Sequence, residues 1–395
     1  MDLGQALAIT RCTATFAGRS DRVVAGLAQD GLRRSTAHAV PAFNGGVALR
    51  TADVLLHLAY ATRLNYERTV LDVYMQWALA RYIGAFELAP PLEVHWPGLR
   101  TLRLSESGRR VVANQRRVFS EDVGIGLASV LAHRWFGSAR PGIDLHLVDI
   151  DIAIASGAIT APAGARTDYL VVADDPATGH VLLLGMIEAK GSESRANALR
   201  QVTRGAEQVE ATTRGGRGVA GLVSVAQSGR DELSYYVASI APDEPLAEVD
   251  LGGGPAARSL LGTSWAKVAD FADDPELYER VAPRRLKERR PSSVQRSSAR
   301  RSQQEVQGAA YEGTEAVVPL PGGDLHVFLG AEERLVTALR EGALDRAASI
   351  RADLRRSTLD WAVRSEAVDS VDWSARADHV ESASADGVAL ALWAE

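Results

Sequence analysis

Glu188-Ala189-Lys190 stands at the end of the apolar run from Val181 to Ile187, and Asp168 lies ahead of it. Side chains of a strand alternate faces, so Glu188 and Lys190 share one face while Ala189 takes the other. A carboxylate beside an ammonium at the exit of a buried strand is costly for packing alone. The pair suits a site where an acid holds a divalent cation and a lysine handles an attacking water or a phosphate oxygen. Two carboxylates held close repel unless a cation or a proton lies between them. Oxygen-only ligation by Asp168 and Glu188 favours Mg²⁺ or Mn²⁺ over zinc.

These residues need elements to position them. The run from Val181 is too short for a typical helix and reads as a buried strand. Residues 166–172 read as its partner, joined by the turn Asp174-Asp175-Pro176-Ala177-Thr178-Gly179. The hairpin brings Asp168 beside Glu188. Upstream, Phe119-Ser120-Glu121-Asp122 opens a helix, with Ser120 as N-cap and two acids at the positive end of the dipole. Val123, Leu127, Val130, Leu131 and Trp135 form its apolar stripe, and Gly137 stops it. Residues 143–154 alternate like a half-exposed strand. Asp144 and His146 share one of its faces, Asp149 and Asp151 the other, and the acids read as solvated. Ser194 to Thr212 reads as a helix that buries Leu199, Val202, Ala206 and Val209. Asn197, Gln201, Arg204 and Gln208 form its polar stripe. Residues 218–226 and 235–240 are further buried strands.

Asp168 followed by Glu188-Ala189-Lys190 at the end of the next strand resembles the PD-(D/E)xK restriction-endonuclease-like superfamily. The likeness spans roughly residues 118–240, and Thr167 stands where that family usually has proline. It implies an α/β (mixed α+β) chain with a central helix–strand–strand–strand–helix–strand core. It also implies Mg²⁺, with Mn²⁺ as a substitute, held by Asp168, Glu188 and the Ala189 carbonyl. Glu121 would assist, with Asp122 in reserve; as a bare sequence feature Glu121 equally reads as a helix-capping acid. A glutamine of the second helix, Gln201 or Gln208, would steady the nucleophile or Lys190. The activity implied is hydrolysis of DNA phosphodiester bonds, in restriction or defence against foreign DNA. The alternative is a non-catalytic module that keeps the fold to bind DNA or protein.

Composition sets the outer bounds. A chain of 395 residues suggests two or three domains. We expect an N-terminal α/β module over 1–117 and the nuclease-like core over 118–282. A basic flexible linker over 283–312 and a mainly helical docking or oligomerisation module over 313–395 follow. The lone Cys12 excludes an internal disulfide and fits a reducing cytosol. A cysteine-based zinc site is impossible, and the histidines show no zinc spacing. No apolar stretch is long enough to span a membrane, and Met1-Asp2-Leu3-Gly4 lacks a basic signal region. A cytoplasmic protein is expected. Lysine occurs only at 190, 267 and 287 among 44 basic residues, so Lys190 stands where arginine's planar fork does not serve. Residues 283–301 hold eight basic residues and one acid, +7 within a net charge of −6. Such a stretch binds phosphates by counterion release or serves as a plain linker.

In the N-terminal region, residues 6–9, 13–16 and 47–49 suggest strands and residues 52–83 a long helical stretch. Arg100, Arg103, Arg109, Arg110, Arg116 and Arg117 form either a DNA-reading surface or a solvated edge. Near the C-terminus, residues 317–319 and 325–329 read as short strands and residues 332–356 as one amphipathic helix. Residues 388–392 read as an edge strand or a partner-binding tail. Double-strand cleavage by one site per chain would call for a pair of chains.

Overall fold

The computed structural model of the protein describes residues 2–62, 83–89, 100–140, 143–156, 159, 164–175, 177–213, 218–229, 232–242, 248–289, 300–367 and 379–395. The chain opens with α1 (Leu3–Arg11), β1 (Thr13–Arg19), α2 (Arg22–Gln29), β2 (Thr36–His38), β3 (Val47–Arg50) and α3 (Thr51–Thr62). β4 (Phe86–Ala89), β5 (Arg100–Leu104), α4 (Glu106–Arg110) and α5 (Ala113–Ala139) follow. The middle supplies β6 (Asp144–Asp149), α6 (Ile150–Ser156), β7 (Tyr169–Asp175), β8 (His180–Ser192), α7 (Arg195–Thr213), β9 (Gly221–Ser228) and β10 (Leu233–Ala241). Next are β11 (Val249–Asp250), α8 (Pro255–Phe271), α9 (Pro275–Val281) and α10 (Arg284–Arg289). The C-terminal part holds β12 (Arg300–Val306), β13 (Ala309–Leu320), β14 (Gly323–Glu332), α11 (Glu333–Arg340), α12 (Leu344–Ala367), β15 (His379–Ala383) and β16 (Val388–Ala394).

One large mixed sheet has the order β4-β5-β1-β10-β9-β8-β7-β6, with β3, β2 and β11 pairing onto β1, β10 and β8. β6, β7 and β8 form an antiparallel meander. β9 then lies parallel to β8, a connection too long for a tight turn, and α7 supplies the crossover. From α5 to β9 the chain therefore runs helix, three strands, helix, strand, with the short α6 inserted after β6.

Helices cover both faces of this sheet. Leu222 and Ala226 of β9 cluster with Val123, Leu127 and Leu131 of α5. Val223 and Val225, one residue out of step, cluster with Ala198, Val202, Ala206 and Val209 of α7. Burial on both sides explains why β8 is apolar for most of its length instead of alternating. At the far end of β8 the backbone of α5 comes unusually close. A Cβ on Gly191 would meet the Ser120 carbonyl oxygen at 1.9 Å, and one on Gly124 would meet the Lys190 carbonyl oxygen at 2.4 Å. Gly191→Ala is therefore expected to destabilise the protein by about 1–3 kcal/mol through forced backbone displacement. A thermal melt followed by circular dichroism checks this, and an unchanged midpoint would refute the close packing.

Several expected elements differ. Residues 143–154 are not one strand: β6 ends at Asp149, whose carboxylate accepts the amides of Asp151 (2.8 Å) and Ile152 (3.1 Å) and so caps α6. Nor is β6 half-exposed, since Asp144 and His146 are 5% and 0% accessible. α5 begins seven residues before Ser120, whose hydroxyl donates back to the Arg116 carbonyl instead of capping the helix. Residues 6–9 belong to α1, not a strand. The expected helical stretch over 52–83, read as one helix or two, begins as α3, and its remainder falls largely outside the described residues. The 1–117 segment supplies β1, which lies inside the large sheet between β5 and β10.

The C-terminal part is not mainly helical. It carries an antiparallel sheet of order β12-β13-β14-β16-β15, in which residues 388–392 lie in an interior strand and not at an edge. The expected linker over 283–312 contains α10, β12 and the start of β13, while residues 290–299 lie outside the described residues. The single expected helix over 332–356 is two, broken at Gly342. One apolar cluster joins α1, α3, α8, this second sheet and α11, so the C-terminal part shares its core with the rest of the chain.

Candidate active site

Asp168 immediately precedes β7. Its amide donates to the Ile187 carbonyl (3.1 Å) and its own carbonyl accepts the Ile150 amide (2.9 Å), which fixes it between β8 and α6. The Tyr169–Ile187 pair of the hairpin places Asp168 opposite Glu188. The Asp168 carboxylate accepts the Ala189 amide at 2.9 Å and lies 3.9 Å from the Lys190 ammonium. Lys190 also makes a direct ion-pair contact with Glu188. Asp168, Glu188 and Lys190 thus converge. Glu188 and Lys190 point toward α7 while Ala189 packs among apolar residues on the α5 side. A Cβ at Gly205 of α7 would sit 3.2 Å from the Glu188 side chain, so the helix roofs this carboxylate.

Burial grades across the three residues. The Glu188 side chain is inaccessible, Lys190 is 22% exposed and Asp168 37%. Neither Glu188 oxygen has a hydrogen-bonding partner among the described residues, leaving the Lys190 ion pair as its compensation. Burial, and next the negative charge of Asp168, push the Glu188 carboxyl up to about 8, against the opposing pull of Lys190. Burial also raises Asp168, with Asp149 and Asp151 adding to the effect while Lys190 and the Ala189 amide oppose it. Burial would lower Lys190, but Asp168 and Glu188 outweigh it, with a contribution from Glu121, and its ammonium is held above the ordinary value.

The raised Glu188 has a measurable consequence. Its carboxyl titrates at an ordinary 4.5 when exposed and near 8 when folded. Between those values the native state holds the extra proton, so metal-free stability falls as pH rises from about 4.5 to about 8. The slope reaches at most about 1.4 kcal/mol per pH unit. Glu188→Gln is expected to flatten this slope and to be more stable than the parent at pH 8.5 in EDTA. Urea titrations at several pH values check it. An identical slope in the variant would show that Glu188 titrates normally.

The supporting residues divide. Glu121 lies on the rim, its carboxylate 47% exposed and paired with Arg117 at 3.1 Å, and it reaches Lys190 through its field. Asp122 is buried. Gln201 lines a cavity of about 640 Å³ together with Glu121, Arg109, Arg116, Arg117 and Arg204; Asp168, Glu188 and Lys190 are not among its lining residues. Gln208 instead donates to the Arg166 carbonyl at 3.0 Å and so braces the segment that presents Asp168.

The cavity begins at Gly191, the residue after Lys190, and four of its lining side chains are guanidinium groups. The stripe Asn197, Gln201, Arg204 was visible from helical spacing; its placement on a cavity wall was not. Arg116 pairs with Glu193 at 2.9 Å and donates to the Arg109 carbonyl, which ties α4 and α5 to the loop after β8.

A second polar cluster went unforeseen. Arg351 of α12 is fully buried and donates to the Leu145 carbonyl (2.9 Å) and to Asp386 (2.8 Å), with Asp144 at 3.3 Å and His146 at 2.7 Å. Its only trace in the sequence is an arginine at helical spacing from Ala347 and Leu354, both buried. No helix among the described residues is long and apolar enough to cross a membrane. No family model, no curated protein and no solved structure matches the chain.

Proposed function

We propose that the protein is a metal-dependent endonuclease that hydrolyses DNA phosphodiester bonds on a restriction-endonuclease-like core. The reading rests on one observation: Asp168, Glu188 and Lys190 meet at the open end of β8, beside an arginine-lined cavity. The residues suit a hard divalent cation. The Glu188 carboxylate is buried with the Lys190 ammonium as its main compensation, and Asp168 adds a carboxylate beside it. Mg²⁺ or Mn²⁺ held by Asp168, Glu188 and the Ala189 carbonyl would lower the pKa of a bound water and offset charge on the scissile phosphate.

The chain's own residues do the remainder. Glu188, with its carboxyl near 8, would have to give up its proton to hold a cation. Lys190 keeps its charge and donates hydrogen bonds to the attacking water or to the phosphate oxygen that gains charge. Arg109, Arg117 and Arg204 offer guanidinium groups for flanking phosphates. Gln201 stands on the same wall and Glu121 at the rim, placed to act through water. A role in restriction or defence follows from the family resemblance alone.

The test is incubation of supercoiled plasmid and of DNA and RNA oligonucleotides with Mg²⁺ or Mn²⁺, with and without EDTA. Nicking or cutting of DNA that EDTA abolishes is the expected result. DNA binding with no cleavage under any metal would instead assign a non-catalytic binding module.

A further inference from the structure

A second group of metal-competent side chains lies where α3, α5 and the turn between β15 and β16 meet. His57, His133 and Asp386 each offer an atom there, and these atoms lie within 4.8 Å of one another. His133 Nε2 and Asp386 Oδ2 are 3.3 Å apart. Two atoms bound to one tetrahedral zinc at roughly 2.0–2.1 Å stand about 3.3–3.4 Å apart, so this gap already has the right width. Neither atom has a hydrogen-bonding partner among the described residues, and Asp386 is completely buried. Two acceptors at that distance require a proton or a cation between them.

The surroundings fit the cation. His57 Nδ1 lies 3.1 Å from Ser129 Oγ; with Nδ1 as donor, Nε2 keeps its lone pair. Asp386 Oδ1 is taken by Arg351 at 2.8 Å, which leaves Oδ2. Such outer partners orient ligands at zinc sites. The two rings are tilted by 56° at 5.1 Å, splayed as ligands are and not stacked. Arg351 is shared with Asp144 and so does not cancel Asp386 alone. The His133 side chain is 13% exposed, which gives an ion an approach. Two imidazoles and one carboxylate suit zinc and disfavour magnesium.

We propose that His57, His133 and Asp386 form a zinc site, its fourth position left to water, that clamps the β15–β16 turn to α3 and α5. The site is separate from Asp168 and Glu188 and does not depend on the nuclease reading. It was invisible in histidine spacing because its ligands come from positions 57, 133 and 386.

The experiment uses the full chain stripped with EDTA and dialysed into excess Mg²⁺, which occupies the acidic site. Calorimetric titration with Zn²⁺ is expected to show about one tight equivalent and a rise in melting temperature. Co²⁺ in its place should give the intense visible bands of a tetrahedral site. His133→Gln is expected to weaken Zn²⁺ binding at least about 100-fold. Ser129→Ala keeps all three ligands and should weaken it about tenfold. The Glu188→Gln variant should bind Zn²⁺ as the parent does. No Zn²⁺ uptake by the stripped parent, or unchanged uptake by a folded His133→Gln, overturns the proposal and leaves a proton between His133 and Asp386.

Discussion

Lys190→Ala is expected to lose metal-dependent cleavage by about 10²–10³-fold while the fold survives. The rate loss is what removal of one donor aimed at developing transition-state charge costs. The fold survives because Glu188, the partner left behind, already favours its neutral form below about pH 8. Protonation relieves the buried carboxylate that would otherwise be stranded. Lys190→Arg should rescue little: a planar fork does not replace a compact ammonium in a contact that Asp168, Glu188 and the strand backbone all confine. Asp168→Ala and Glu188→Ala remove oxygen ligands and should cost more still, with no recovery at high Mg²⁺ in the double variant. Initial rates on supercoiled plasmid, with circular dichroism to confirm folding, decide the matter. Activity close to the parent in any of the three single variants would remove that residue from the catalytic assignment.

What could be read in advance follows from the range of the forces involved. Glu188 and Lys190 share a face because strand alternation is local, and Asp168 joins them because a hairpin closes over a short loop. The apolar run of β8 identified a doubly covered strand. By contrast β6 was misjudged at its end, since whether Asp149 continues a strand or caps a helix depends on two amides just beyond it. β12 carries the polar pattern of an exposed edge, and its Arg, Ser and Gln residues look like a linker until β13 pairs with it. The start of α5 was missed because Ser120, a good cap in isolation, is satisfied by the preceding turn. Gln201 and Gln208 share one helical stripe, yet one lines the cavity and the other braces Arg166; only the loop before β7 distinguishes them. The Arg351 cluster was out of reach altogether. Its partners come from β6, α8 and the β15–β16 turn, and no local rule links an arginine at 351 to carboxylates at 144 and 386.

That cluster carries the largest expected stability effect. Arg351→Met should destabilise the protein by about 3–5 kcal/mol at pH 7, the cost of removing one partner from a buried charge network. Methionine keeps most of the volume, so the loss reports charge and hydrogen bonding more than a cavity. In the parent, Arg351 and the neighbouring histidines overcome the burial that would otherwise raise Asp144 and Asp386, and both sit below the usual carboxylate range. Their contribution is therefore present above the ordinary value of 3.8 and is lost as pH falls through the depressed native values. Without Arg351 burial gains ground at Asp144, whose leading partner it is, so that carboxyl rises and the variant should regain stability relative to the parent as pH falls from 7 toward 5. Urea titrations at those two values test the sign. Adding Asp144→Asn to Arg351→Met should recover part of the deficit, because one stranded charge is gone and Asp386 alone remains to be compensated. A double variant less stable than Arg351→Met by the full cost of a second buried loss would mean that Asp144 owes its place to His146, 3.1 Å away, and not to the guanidinium.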